Sequence, residues 1–158
     1  MSKPKSKGAK QADGYQRGKV GDKKRAPIKL LAAAWAVPGL GHWLLGCRKR
    51  AVVFAVVVVV SFTVGVLLEG ELGTPKPGRP FSWLASFACF GNGLLYFIRL
   101  AWLNGIGGLL SGLPYAVNGG GDPSAVGFAY GNTFLYTAGL MNLLTVLDAS
   151  DIAKGAKE

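Results

Sequence analysis

Few side chains in this sequence could do chemistry, and they are scattered. His42 is the single histidine. It sits inside an apolar stretch, where an ionisable group is a functional candidate by default, and an imidazole can titrate near neutral pH. The competing reading is a neutral ring that donates to a backbone carbonyl freed by Pro38. Cys47 and Cys89 lie in or beside apolar stretches and read as small inert residues; two cysteines make no disulfide framework. One His and two separated Cys do not supply a metal's ligand set. Asp148 and Asp151 could share one helix face, and read as a solvated helix end. Asn118-Gly-Gly-Gly-Asp-Pro123 lacks the Gly-Lys-Ser/Thr and the flanking strand of a phosphate loop. No Ser/His/Asp or Cys/His set has a workable spacing. The inventory argues against an enzyme and implies no catalytic residue, cofactor or metal.

The remaining polar candidates are Asn92, Arg99, Asn132 and Asn142, all inside apolar segments. Helical spacing puts Cys89, Asn92, Tyr96 and Arg99 on one face of one segment, and Gly131, Leu135, Ala138, Asn142 and Thr145 on one face of another. Such small and polar stripes suit helix–helix contact in lipid, and a substrate path is the sharper alternative. Arg99 lies one turn from its segment's end, where it can snorkel to headgroups. Gly91-Asn92-x-x-Leu-Tyr96 is echoed by Gly131-Asn132-x-x-Leu-Tyr136. If both segments cross a membrane consecutively they run in opposite directions and could form an inverted repeat. The plainer reading is chance likeness in apolar sequence.

The element that must organise these residues is Ala51–Leu68, eighteen residues with nine valines and no charge. At that length a membrane-spanning helix is the leading reading. Valine favours strands in water, but a lone strand cannot satisfy its backbone in lipid. Three further apolar segments accompany it: 28–46, 83–103 and 127–147. Pro38, Gly39 and Gly41 break the first, because proline removes a helical hydrogen bond and glycine adds freedom. The loop 69–82 carries Pro75, Pro77 and Pro80, the connector 104–126 is glycine-rich, and 148–158 is a short charged tail. The fold class is therefore all-α: an integral membrane protein with four apolar helical segments, three or four of which cross.

Composition agrees. The chain has 158 residues, half of them apolar, with 24 glycines and a net charge of +10. Nine Lys/Arg fall within residues 1–26, against Asp13 and Asp22. Residues 1–27 lack the apolar surface to offset ordering entropy and read as a disordered basic arm, ahead of a membrane domain over 28–158. The arm either meets anionic lipid headgroups or only sets topology. With Tyr15 as its one aromatic residue, it lacks the stacking platform of a single-strand binder, and no nucleic-acid partner is expected. Ala34-Trp-Ala36 has the shape of a cleavage site, but the basic front before it is too long for a signal peptide. The positive-inside rule puts the N-terminus in the cytoplasm of a cell membrane, a bacterial inner membrane. Whether 28–46 spans or re-enters, fourteen basic residues lie inside and four outside. Its length, close to a crossing, favours a kinked but spanning segment.

Pro38-Gly-Leu-Gly-His-Trp-Leu-Leu-Gly46, the basic turn Arg48–Arg50 and the apolar helix after it resemble the two-transmembrane-helix domain over residues 30–68. The resemblance implies a glycine-rich first segment joined by a short charged turn to a second helix. The whole chain, ending in Leu143-Leu-Thr-Val-Leu-Asp-Ala-Ser-Asp-Ile152, is similar to small bacterial membrane proteins known only as domains of unknown function. Neither carries over a catalytic residue or a ligand. The expected function is a non-catalytic structural or accessory subunit, with a membrane-protein partner or a second copy of itself. The alternative is a small transporter or channel component that uses the broken first segment.

Overall fold

The valine run is the long straight element, α3 (Arg48–Leu67). The structure is a computed structural model that describes residues 26–75, 77–78, 80–106, 117 and 120–156; the basic arm lies outside the described residues, apart from its last two. Every regular element among them is helical: α1 (Ile28–Ala36), α2 (Leu40–Leu44), α3, α4 (Pro80–Phe90), α5 (Leu94–Ala101) with a π turn over Trp102–Ile106, and α6 (Phe128–Ala153). Only 28% of the most apolar window of α3 is buried, and Val52, Val53, Val56, Val57, Val59 and Val60 face outward. A soluble core helix would bury such a face.

α6 packs along α3 in the opposite direction. At one end Gly131 meets Gly65, where a Cβ on Gly131 would lie 2.8 Å from the Gly65 carbonyl oxygen. At the other end Phe54 lies beside Leu144, Asp148 and Asp151. Two facing glycines let the backbones approach, which is how helices associate without a hydrophobic drive between them. The core is small: Val58, Phe62, Leu72, Cys89, Leu135 and Ala138.

The remaining helices form two bent pairs, one at each end of the α3–α6 pair. α1 stops at Ala36, and α2 starts after Gly39, which takes φ 81°. α2 then doubles back: a Cβ on Gly41 would lie 2.6 Å from that of Ala34 and 3.0 Å from that of Ala149. In one kinked rod, residues seven apart would be about 10 Å apart. The expected kinked, spanning segment over 28–46 is therefore corrected to a hairpin. Its direction follows from helix geometry, in which Cβ atoms lean toward the N-terminus and carbonyls point toward the C-terminus. Ala34 lies beside Gly41 at the Ala149 level, while the Trp35 carbonyl reaches Asn142. So α1 rises from the Arg48 end of α3 toward the middle of α6.

The second pair comes from the opposite end. α4 runs parallel to α6: Ala88 meets Gly139 and Gly91 meets Asn142, while Ala85 and Tyr136 line one cavity. At Gly91–Gly93 the chain bends by 108° between α4 and the helix that follows, with Gly93 at φ 59°. α5 then turns back, so that Ile98, Arg99 and Trp102 line one groove with Val66 and Leu67. The expected unbroken helix over 83–103 is thus corrected. The shared face for Cys89, Asn92, Tyr96 and Arg99 goes with it, because the helical register ends at Phe90. The two copies of the Gly-Asn echo do not hold equivalent places, since Gly91–Tyr96 covers the α4–α5 turn and the start of α5 while Gly131–Tyr136 lies within the continuous helix α6. Among the described residues one helix, α3, is long and apolar enough to cross a membrane, or two if α4–α5 counts as one bent span. That is fewer than the four expected. α1–α2 and α4–α5 are shortened by their breaks, and polar residues such as Asn132 and Asn142 dilute α6.

Candidate functional site

The tips of the two hairpins meet at Asn142. A helix end leaves carbonyls without intrahelical partners, and both tips are such ends. Asn142 is fully buried. Its Nδ2 donates to the Trp35 carbonyl at 2.9 Å and to the Gly91 carbonyl at 2.8 Å. One amide group thus satisfies one freed carbonyl from each hairpin. Thr145 Oγ1 donates to the carbonyl of Asn142 at 2.8 Å. Trp35 closes the junction from the other side, its Nε1 donating to the Phe90 carbonyl at 3.2 Å. Its ring lies 4.8 Å from that of Phe90 and 6.2 Å, edge-on, from that of Phe97. Gly93 must be glycine here, because a Cβ would strike the Trp35 carbonyl.

Asn92 sits at the tip of the second hairpin, also fully buried. Its Nδ2 donates to the carbonyls of Cys89 and Leu135, each at 3.0 Å. Among the described residues its Oδ1 is buried without a hydrogen-bond partner. The same asparagine chemistry recurs at the echo: Asn132 Oδ1 accepts from the Glu71 amide at 2.8 Å, beside Gly131. In both copies the glycine admits a second backbone and the asparagine that follows bonds main-chain groups, Asn92 as a donor and Asn132 as an acceptor. Buried Cys89 accepts from the Gly73 amide at 3.2 Å, which ties the loop after α3 to α4.

A family model matches residues 29–158, nearly the whole helical region. The chain belongs to the DUF6677 family, a family of unknown function. No curated protein and no solved structure matches it.

The other candidates lie away from the junction. His42 is 1% exposed, and its Nε2 lies 3.0 Å from Asp148 Oδ2. Its ring packs 4.9 Å from that of Phe54. The expected carbonyl partner is replaced by a carboxylate, because α6 stays helical past residue 147 and carries Asp148 down to α2. Arg99 is also redirected. Expected to snorkel, it is 7% exposed and donates to the carbonyl of Val117. Pro38, Gly39 and Gly41 shape the first hairpin, and a Cβ on Gly39 would strike the Ala51 carbonyl. Among the described residues, no three His, Cys, Asp or Glu gather closely enough to hold a metal ion. Asp148, Trp35 and the Gly91–Gly93 turn escape sequence reasoning as parts of this arrangement. Gly91-Asn92-Gly93, a glycine pair in the middle of an apolar segment, is the one local signal that could have revealed the second break.

Proposed function

We propose that this chain is a small integral membrane protein, a non-catalytic structural or accessory subunit. α3 and α6 cross the bilayer, and two hairpins enter to about half depth from opposite faces. α4, with eleven residues, rises about 16 Å, half of a hydrocarbon core of about 30 Å. α6 is less apolar than α3, but Gly131, Leu135, Asn142 and Thr145 are its buried side, while Phe134, Leu140, Leu144 and Leu147 are turned outward. The observation that carries the reading is the use of Asn142: the polar side chain at mid-depth bonds the chain's own helix ends. Irregular backbone survives in lipid only where protein or trapped water covers it, and this junction covers itself. The reading also draws on the resemblance to the two-transmembrane-helix domain over residues 30–68. The arm before α1 is read as meeting anionic headgroups on the cytoplasmic side of a bacterial inner membrane. The outward valines of α3 are a surface for lipid, a membrane-protein partner or a second copy.

One observation favours the second reading, a transporter or channel component. Discontinuous helices meeting at mid-depth are how many transporters build a substrate site, and Asn92 Oδ1 is an acceptor without a donor. Liposome flux separates the two. Proteoliposomes should hold proton, sodium, potassium and small-solute gradients as well as protein-free vesicles do. A leak or uptake that Asn92→Leu or Asn142→Leu abolishes would establish transport instead.

A further inference from the structure

The first hairpin and the start of α3 leave a groove open on the outside of the helix pair. Its volume is about 280 Å³, and Val37, Leu40, Trp43, Val52, Ala55 and Val56 line it. Val37, Trp43, Val52 and Val56 are each about half exposed. The floor is bare because the left-handed turn at Gly39 presses backbone against Ala51, leaving no room for a side chain there. The mouth is different. The Arg48 guanidinium lies 5.6 Å from the centroid of the Trp43 ring, which lines the groove, so the cation is tied to that wall. Lys49 beside it is exposed, and no acidic residue stands in that turn of α3. From Arg48 to Val56 is about 12 Å along the helix.

We propose that this groove holds one acyl chain of an anionic phospholipid, whose phosphate Arg48 and Lys49 take at the mouth. The site rests on the membrane reading above. It is distinct from the basic arm, since its cations are anchored on a helix beside an apolar slot. Charge complementarity selects the headgroup, and the guanidinium fork suits phosphate oxygens. The slot adds what a free phosphate cannot use. A zwitterionic lipid of the same chains fits the slot but presents no net charge to the two cations.

The test uses the full-length protein in nanodiscs of phosphatidylcholine with phosphatidylglycerol, released for native mass spectrometry. Flotation of the reconstituted protein checks insertion. One phosphatidylglycerol should stay with each chain in preference to phosphatidylcholine. In the Arg48→Gln/Lys49→Gln variant, with the arm intact, that preference should fall by about tenfold or more. Val52→Trp fills the slot from an exposed position and leaves both cations in place; it should lose the lipid with unchanged helical circular dichroism. Millimolar glycerol phosphate should not displace it. Equal retention of the two lipids, an undiminished preference in either variant, or displacement by glycerol phosphate would each overturn the proposal while leaving insertion intact. A chain that fails to float with the vesicles would instead sink the membrane reading itself.

Discussion

At the scale of single residues, the chain places amides where backbone runs out of partners. Asn142 answers two carbonyls from two hairpins. Leucine has similar volume but no donor, so Asn142→Leu leaves both carbonyls buried and unpaired. A buried unsatisfied group costs about 1–3 kcal/mol, so the variant should lose about 2–6 kcal/mol. Denaturant unfolding in mild detergent measures this, and a loss under about 0.5 kcal/mol would show that the junction does not depend on the amide. His42 and Asp148 touch across the α2–α6 contact, and residues in direct contact couple by about 0.5–3 kcal/mol. A cycle of His42→Ala, Asp148→Ala and the double variant should find that coupling, and additive losses would argue that the pair is incidental. The amides and His42 were legible in the sequence as polar residues in apolar surroundings. Their partners were not. The carbonyls of Trp35 and Gly91 become acceptors only because their helices end there, and Asp148 looks solvated unless α6 is known to continue to Ala153.

At the scale of elements, the bundle is held by backbones that touch. Gly139 meets Ala88 so closely that a Cβ would strike the Ala88 carbonyl. Gly139→Ala should therefore push α4 from α6 and destabilise the protein, in the range of about 1–3 kcal/mol seen for overpacked sites. Gly120, where a Cβ would meet nothing among the described residues within 4 Å, is the control, and its alanine variant should be neutral to within about 0.5 kcal/mol. Equal thermal stability of the two variants in detergent would contradict the close approach. The contrast between the hairpins explains what the sequence could reveal at this scale. Pro38 announces the first break, since proline removes a donor wherever it falls in a helix. Gly91 and Gly93 are a weaker local signal, because glycine is common in membrane helices. Their bend is set by docking on α6, a contact from far along the chain. α3 was legible almost to its ends, since eighteen uncharged apolar residues admit one regular structure in lipid.

At the scale of the molecule, the two hairpins decide which ends share a side. α3 and α6 run in opposite directions, so the start of α3 and the end of α6 lie together, as the His42–Asp148 contact requires. α1 rises from that same end, so Ala26 lies there too. The loop after α3 and the turn before α6 lie at the other end, where the Asp122 amide donates to the Glu69 carbonyl at 3.2 Å. By sequence order, the arrangement proposed above, two crossings with two re-entrant hairpins, assigns fifteen of the eighteen Lys/Arg to the first side and Lys76, Arg79 and Arg99 to the second. Four alternating segments left fourteen against four whichever way the first was threaded, so the charge rule could not choose between them. The re-entrant arrangement gives the larger asymmetry and follows the rule more strongly. The expected outcome is that single cysteines at Ala26 and Ala156 react with a membrane-impermeant maleimide from the cytoplasmic face. A cysteine at Gly120 should react only from the opposite face. The background replaces Cys47 and Cys89 with alanine or serine, and Cys89→Ala is preferred because the thiol is buried. If Ala26 and Ala156 label from opposite faces, α1–α2 crosses after all. If Gly120 and Ala156 label from the same face, α6 does not cross, and the two-crossing arrangement fails.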